Sequence, residues 1–288
     1  MNLNDRISMA DTRATHEHKP GLWARTQILG GYNRYIDLSG VSQLGEVVFS
    51  RENMVPLGGV QYVMERLFEV VGPISVGYLN SANAMGYGSQ IDTRPGSGQV
   101  YPTGHKVCLF GVGIGGAASN STSAYDVRYN ETNLANPVPF KFTDLLSGTD
   151  VGKYYGKKQM SAGGMTKNAY YLKAFDSDPT IKHLWKDGVD YEDGSEVDSN
   201  VFSSTRTDGI QTFTEILMTI TKDDLKEWFD ANGNIEEMRI NELALFSGYY
   251  NETDMDYEKI MMFSKLNIPT EPLSVSKDLN IIYRVFGS

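Results

Sequence analysis

Cysteine is almost missing: one occurs in 288 residues. A disulfide framework is therefore excluded, and synthesis in a reducing compartment is expected. The single thiol, Cys108, sits in Val107-Cys108-Leu109-Phe110, the setting of a small buried hydrophobe rather than of a reactive group. No apolar run reaches the ~18–20 residues that a bilayer span needs, so no membrane span is expected. The opening Met1-Asn2-Leu3-Asn4-Asp5-Arg6 has no apolar segment, and a signal peptide is not expected either. Basic residues are outnumbered, 26 Lys and Arg against 36 Asp and Glu, for a net charge of −10. Phosphate backbones repel such a chain unless its cations are segregated. The densest group, three lysines between Lys153 and Lys158, reads as a solvated face, so no direct nucleic-acid partner is expected.

Histidine is scarce too, with four in the chain. His16 and His18 are spaced like ligands on one side of a strand. They lack third and fourth partners nearby, His105 and His183 stand alone, and no metal site is expected. Asp230-Ala231-Asn232-Gly233-Asn234 opens like a calcium loop, but Ile235 replaces the glycine at its sixth position and Asn241 the glutamate at its twelfth. A helix end explains it better.

What the chain does have is sheet-building sequence. It is 40% hydrophobic and 22% charged, a soluble composition with ample length for a core. Strands are expected at 210–221, 240–249, 259–268 and 279–286, where apolar residues alternate or run continuously. Two more are expected at 106–112 and 167–175. A helix is predicted over 222–230, capped by Thr221, with Asp223 and Asp224 in its first turn and Asn232-Gly233 ending it. Another is predicted at 59–68, where Val60, Val63, Met64, Leu67 and Phe68 form one apolar face before Gly72-Pro73. Pro269 and Pro272 are placed between strands. The acidic stretch 187–200, with Asp187, Asp190, Glu192 and Asp193, reads as an exposed loop or hairpin. Residues 1–55 show scattered anchors (Trp23, Ile28, Leu29, Tyr32, Tyr35, Ile36) without periodicity. They are read as an extended N-terminal arm, lying on a neighbour or packed on its own body, with a β-rich body, 56–288, whose clearest strands lie in 205–288. The predicted class is mainly β with short helices (α+β), an antiparallel β-sandwich carrying that arm.

Motifs that carry chemistry are weak. Phe110-Gly111-Val112-Gly113-Ile114-Gly115-Gly116 holds a formal G-x-G-x-x-G at Gly111, Gly113 and Gly116 and follows a strand. A dinucleotide site needs those glycines to open a helix, whereas Ala117-Ala118-Ser119-Asn120 is loop sequence. A strand leaving the sheet into a flexible loop is expected instead, with no cofactor. Ser274-Val275-Ser276-Lys277 satisfies S-x-x-K only on paper, since it falls in a turn. The acids of 187–200 look uniformly solvated, not split in pKa as catalytic pairs are. No catalytic residue is assigned, and the chain is not expected to be an enzyme.

Ile240-Asn241-Glu242-Leu243-Ala244-Leu245-Phe246-Ser247-Gly248, then Met262-Phe263-Ser264-Lys265-Leu266-Asn267-Ile268-Pro269-Thr270-Glu271 and the closing 279–286 segment, resemble the C-terminal β-modules of tailed-bacteriophage virion proteins. Leu109 to Gly116, with Val138-Pro139-Phe140 downstream, looks like phage structural proteins as well. The resemblance covers 107–142 and 205–286. It implies a virion component of the neck, tail or baseplate, or a capsid-bound protein, made in the host cytoplasm. The expected function is a structural subunit assembling into a symmetric ring at the neck, connector or tail. The expected partners are copies of itself and portal, neck, tail or capsid subunits. The alternative is a carbohydrate- or receptor-binding β-sandwich of the particle, using tyrosines in or beside glycine-rich loops (Tyr78, Tyr87, Tyr101). A hydrolase is a third, weaker reading.

Overall fold

The computed structural model describes residues 22–30, 46–53, 59, 62–63, 78–79, 91–92, 104–118, 123–128, 130–185, 210–273 and 278–287. Its strands are β1 (Leu22–Gly30), β2 (Glu46–Asn53), β3 (Tyr78–Leu79), β4 (Ile91–Asp92), β5 (Lys106–Gly113), β6 (Pro137–Val138) and β7 (Lys141–Thr143). They continue with β8 (Tyr154–Ala162), β9 (Met165–Ala174), β10 (Thr180–Trp185), β11 (Ile210–Ile220), β12 (Arg239–Asn251), β13 (Asp256–Pro272) and β14 (Leu279–Gly287). A short helix, α1 (Lys226–Ala231), and 3-10 turns at Gly148–Asp150 and Ile235–Glu237 interrupt them. Gly59, Tyr62 and Val63 are also helical, inside the stretch expected to be a helix. The protein is thus mainly antiparallel β with very few helices.

Two sheets form. One has the order β10-β11-β14-β1-β2, and the other runs β4-β3-β13-β12-β5-β9-β7, with β6 on β5 and β8 on β9. Alternation explains the first. Register pairs Ile216 with Tyr283, Met218 with Ile281 and Ile220 with Leu279, so one face carries a row of large apolar side chains. These side chains share a hydrophobic cluster with Phe110 and Val112 of β5, Leu243 and Leu245 of β12, and Met261 and Phe263 of β13. The tyrosine hydroxyl of Tyr283 is also hydrogen-bonded to Ser264 of β13. The opposite faces of β5, β12 and β13 place Leu109, Ala244, Phe246, Ile260 and Met262 in a second cluster with Phe142, Tyr155, Tyr171 and Leu172. β12 is therefore buried on both faces, and its run Leu243-Ala244-Leu245-Phe246 is apolar throughout for that reason.

Several expectations change. Two parts of the stretch read as an arm are strands: β1 pairs with β14 from Leu22↔Gly287 to Gly30↔Leu279, and β2 pairs with β1. Residues 1–21 and 31–45 lie outside the described residues. β8 was not anticipated, because Tyr154-Tyr155-Gly156-Lys157-Lys158-Gln159 looks polar. Its Tyr154 and Tyr155 are buried while Lys153 and Lys157 remain exposed. The helix expected from Lys222 begins only at Lys226, and Thr221 does not cap it: the Asp224 carboxylate instead accepts the Thr221 N–H. Pro269 and Pro272 lie within β13, not between strands. Register shifts between Ile240 and Glu242, where Ile240 faces Glu271 and Glu242 faces Asn267. Pro269 falls in that irregularity, where no ladder N–H is required of it.

Ile281 is only 1% exposed. Urea melts of Ile281→Ala should show a loss of about 2–4 kcal/mol, while Lys157→Ala, on the exposed side of β8, should stay within about 0.5 kcal/mol. Equal effects would remove Ile281 from the core.

Candidate functional site

The glycine-rich segment does gather an anion, and the anion belongs to the protein. β5 ends at Gly113, directly across from Glu242 of β12, whose side chain is completely buried. Gly115 N–H donates to Glu242 Oε2 at 2.9 Å, and Asn136 N–H donates to the same oxygen at 3.1 Å. Oε1 accepts the Ala135 N–H and the Lys265 ammonium, each at 2.8 Å. Successive backbone N–H groups cradling an oxyanion are the physics of phosphate loops, here satisfied internally. Next to them, Gly116 N–H donates to Asn241 Oδ1 at 2.7 Å, and Asn241 Nδ2 donates to Ala117 O at 3.3 Å. Asn267 Nδ2 holds Tyr125 O at 3.1 Å, and Thr270 Oγ1 holds Ala118 O at 3.3 Å. Lys265 also pairs with Glu131. The segment after Gly113 is therefore a strap fastened to β12 and β13, a correction to the flexible loop expected from its composition. Its glycines serve close approach. A Cβ on Gly113 would lie 2.5 Å from Glu242 Oε2, and one on Gly116 would lie 2.1 Å from Asn241 O.

A second buried charge pair sits where β8 and β9 meet the turn after β11. Lys173 Nζ lies 2.7 Å from Asp224 Oδ2 and donates to Thr219 O at 2.8 Å. Tyr154 Oη donates to Asp224 Oδ1 at 2.6 Å. Burial, then the Asp224 charge, push the Tyr154 hydroxyl far above the ordinary phenol range, so it remains a donor. Both carboxylates of these clusters have their oxygens occupied by donors. The chemistry they support is fastening: charge-assisted bonds that lose much if one partner is removed. Sequence reading missed Lys173, Asp224, Glu242 and Lys265 as a set. The available signal was a charged residue inside an apolar strand, as in Tyr171-Leu172-Lys173-Ala174.

The remaining candidates are placed as follows. His105 is buried, with Nε2 2.8 Å from Lys259 O and Nδ1 3.2 Å from the Tyr62 hydroxyl. His183 falls in β10, and His16 and His18 lie outside the described residues. Among the described residues no three His, Cys, Asp or Glu side chains gather around one point. Asn232 and Gly233 (φ 72°) close α1, so the calcium-like stretch is a helix end. Ser274 to Lys277, the acids of 187–200, Tyr87 and Tyr101 are outside the described residues, and Tyr78 falls in β3. Cys108 is buried, and burial pushes its thiol up to about 11. It lies by Tyr257, whose ring meets Tyr155 edge-on at 4.7 Å and Tyr250 at 5.2 Å. Burial also raises the carboxyl pKa of neighbouring Asp256, against hydrogen bonds from the Tyr257, Gly156 and Lys157 backbone.

Glu242→Ala and Lys265→Met should each cost about 3–5 kcal/mol, and the double variant less than their sum. Strict additivity in chemical denaturation would show the pair uncoupled. Calorimetry with NAD and ATP should give no heat, since Glu242 fills the glycine cradle. A carboxyl whose pKa is raised by folding contributes stability that is present below its unfolded pKa and lost as pH rises through the folded one. Asp256→Asn, which keeps an acceptor without the charge, should therefore raise the melting temperature at pH 7 and have no effect near pH 3. A drop at pH 7 would show that the charge is favourable. No protein-family model matches the chain, and no curated protein and no solved structure matches it significantly.

Proposed function

We propose that the chain is a structural subunit of a tailed-phage virion that assembles into a symmetric ring at the neck, connector or tail. One observation supports this best. The segments that carry the resemblance are far apart in sequence yet adjacent in space: β12 lies between β13 and β5, and β6 pairs with β5. They behave as one module, bound together by the Glu242 strap. We further read the two sheets as the layers of a β-sandwich, because both feed one hydrophobic cluster. In this reading the body is a rigid block, and residues of the 1–55 stretch reach a neighbouring copy. Its partners are other copies of the chain and adjoining virion subunits. It is made in the host cytoplasm and resides in the particle.

Rings require heterologous contacts whose rotation closes. Among the described residues the five-stranded sheet has two terminal strands, β10 and β2, each with one partner in the sheet, as such contacts need. Light scattering on the purified full chain, with negative-stain imaging, should show closed oligomers of one copy number. A monomer at every concentration up to about 1 mM, the effective concentration of short tethers, would overturn the ring.

A further inference from the structure

We propose that Lys173 and Asp224 condense with one another, losing water to form an intramolecular isopeptide bond that ties β9 to the turn after β11. The inference goes beyond the ring reading and does not depend on it. It starts from a reactive pair held away from water. The two side chains are 5% and 0% exposed, and Nζ stands 2.7 Å from Oδ2. That contact places the nitrogen about 3.5 Å from the carboxyl carbon, the range of a near-attack pair. The nitrogen also lies 5.3 Å from the centre of the Tyr154 ring and 6.0 Å from that of Phe140, so aromatic walls flank the pair. The backbone holds it in place. Leu225, directly after Asp224, is buried, keeps a left-handed φ of 63° and donates its N–H to Phe140 O at 2.8 Å. A leucine adopts that conformation only where its surroundings enforce it, and such residues gather at functional sites.

The neighbours are those the reaction needs. One ammonium proton passes along the 2.7 Å hydrogen bond to Oδ2, leaving a neutral amine beside a neutral acid. The nitrogen attacks the Asp224 carboxyl carbon, and negative charge gathers on Oδ1, where the Tyr154 hydroxyl donates at 2.6 Å. Burial keeps that hydroxyl protonated. Oδ2 takes a second proton from the nitrogen and leaves as water. A C–N bond forms, a C–O bond breaks, and no oxidant or reductant takes part. The product inherits its hydrogen bonds: its carbonyl, the former Oδ1, keeps Tyr154, and its N–H keeps Thr219 O, 2.8 Å from Nζ. Two buried charges vanish together, and with them the cost of holding them out of water. Well-oriented groups react at effective molarities of up to about 10⁵–10⁸ M. Lys265 is not equivalent. Glu242 and Glu131 share it, and condensation with one would take the cation from the other.

Intact-mass spectrometry of the purified full chain, denatured before injection, tests this. The wild type should weigh one water less than its sequence requires, and tryptic digestion should give a branched peptide joining the Lys173 and Asp224 segments. Lys173→Arg, which keeps the cation without the nucleophile, should show the full mass. Followed from cell-free synthesis, Tyr154→Phe should gain the lighter species about 10²–10³-fold more slowly than the wild type. A wild type of full mass with a native circular dichroism spectrum overturns the bond. A water lost equally by wild type and Lys173→Arg marks a succinimide at Asp187-Gly188, Asp193-Gly194 or Asp208-Gly209, and overturns it too. An unchanged rate in Tyr154→Phe overturns the route through Oδ1. Each reading is of a single denatured chain, so failure here leaves the ring reading standing.

Discussion

A carboxylate with no access to water must be met by donors or by a cation, and the buried Glu242 imposes that requirement on the centre of β12. Three backbone N–H groups and the Lys265 ammonium answer it. Each of those donors constrains something else. The Gly115 N–H turns the chain leaving β5 back over β12, and only glycine at 113 and 116 lets the backbone come that close. The Ala135 and Asn136 N–H groups deliver the chain to β6. Lys265 fixes the stagger of β13 on β12, because it sits opposite Ala244, two residues along the ladder from the Glu242–Asn267 pair and so on the same face. An unmet charge here would cost several kcal/mol, a large part of the 5–15 kcal/mol that holds a typical domain.

The Lys173–Asp224 pair does the same work at another seam. It joins β9 to the turn that follows β11, so it spans elements of both sheets. Well-packed apolar side chains of the same volume would contribute comparable net stability. What they would not do is select a register. A strand that slips by one residue exchanges its two faces, and β12, apolar on both, has little to oppose such a slip. With Glu242 and Lys265 in place, a slip strands both charges away from their partners. The apolar clusters thus supply cohesion and the ion pairs supply uniqueness.

The elements legible in the sequence are those whose burial is simple. β11 and β14 alternate, β12 is continuously apolar, and β5 and β9 combine both habits, so their positions follow from periodicity alone. β8 is hidden because Gly156-Lys157-Lys158-Gln159 breaks the apolar alternation after its two inward tyrosines. β1 and β2 are hidden because Leu22–Gly30 and Glu46–Asn53 mix polar and apolar residues without a clean period of two. Pro269 misleads because a bulge tolerates what a ladder does not. The glycine motif was visible, but its meaning depends on a glutamate 127 positions away. Local patterning can show that a backbone will cradle an anion and cannot say whose anion it is. Tyr154, Lys173 and Asp224 pose the same difficulty, with partners contributed by three separate elements.

The two sheets carry different kinds of order. The strands around β12 are bound by side-chain charges that have one solution each, and those bonds lie within a single chain. The five-stranded sheet is joined by antiparallel ladders from β10 to β11, β14, β1 and β2. Around β12, where both faces are apolar, buried charge is what fixes the register. Between β11 and β14 the alternating row of Ile216, Met218, Ile220, Ile281 and Tyr283 fixes it, since a slip of one residue would turn that row away from the shared cluster.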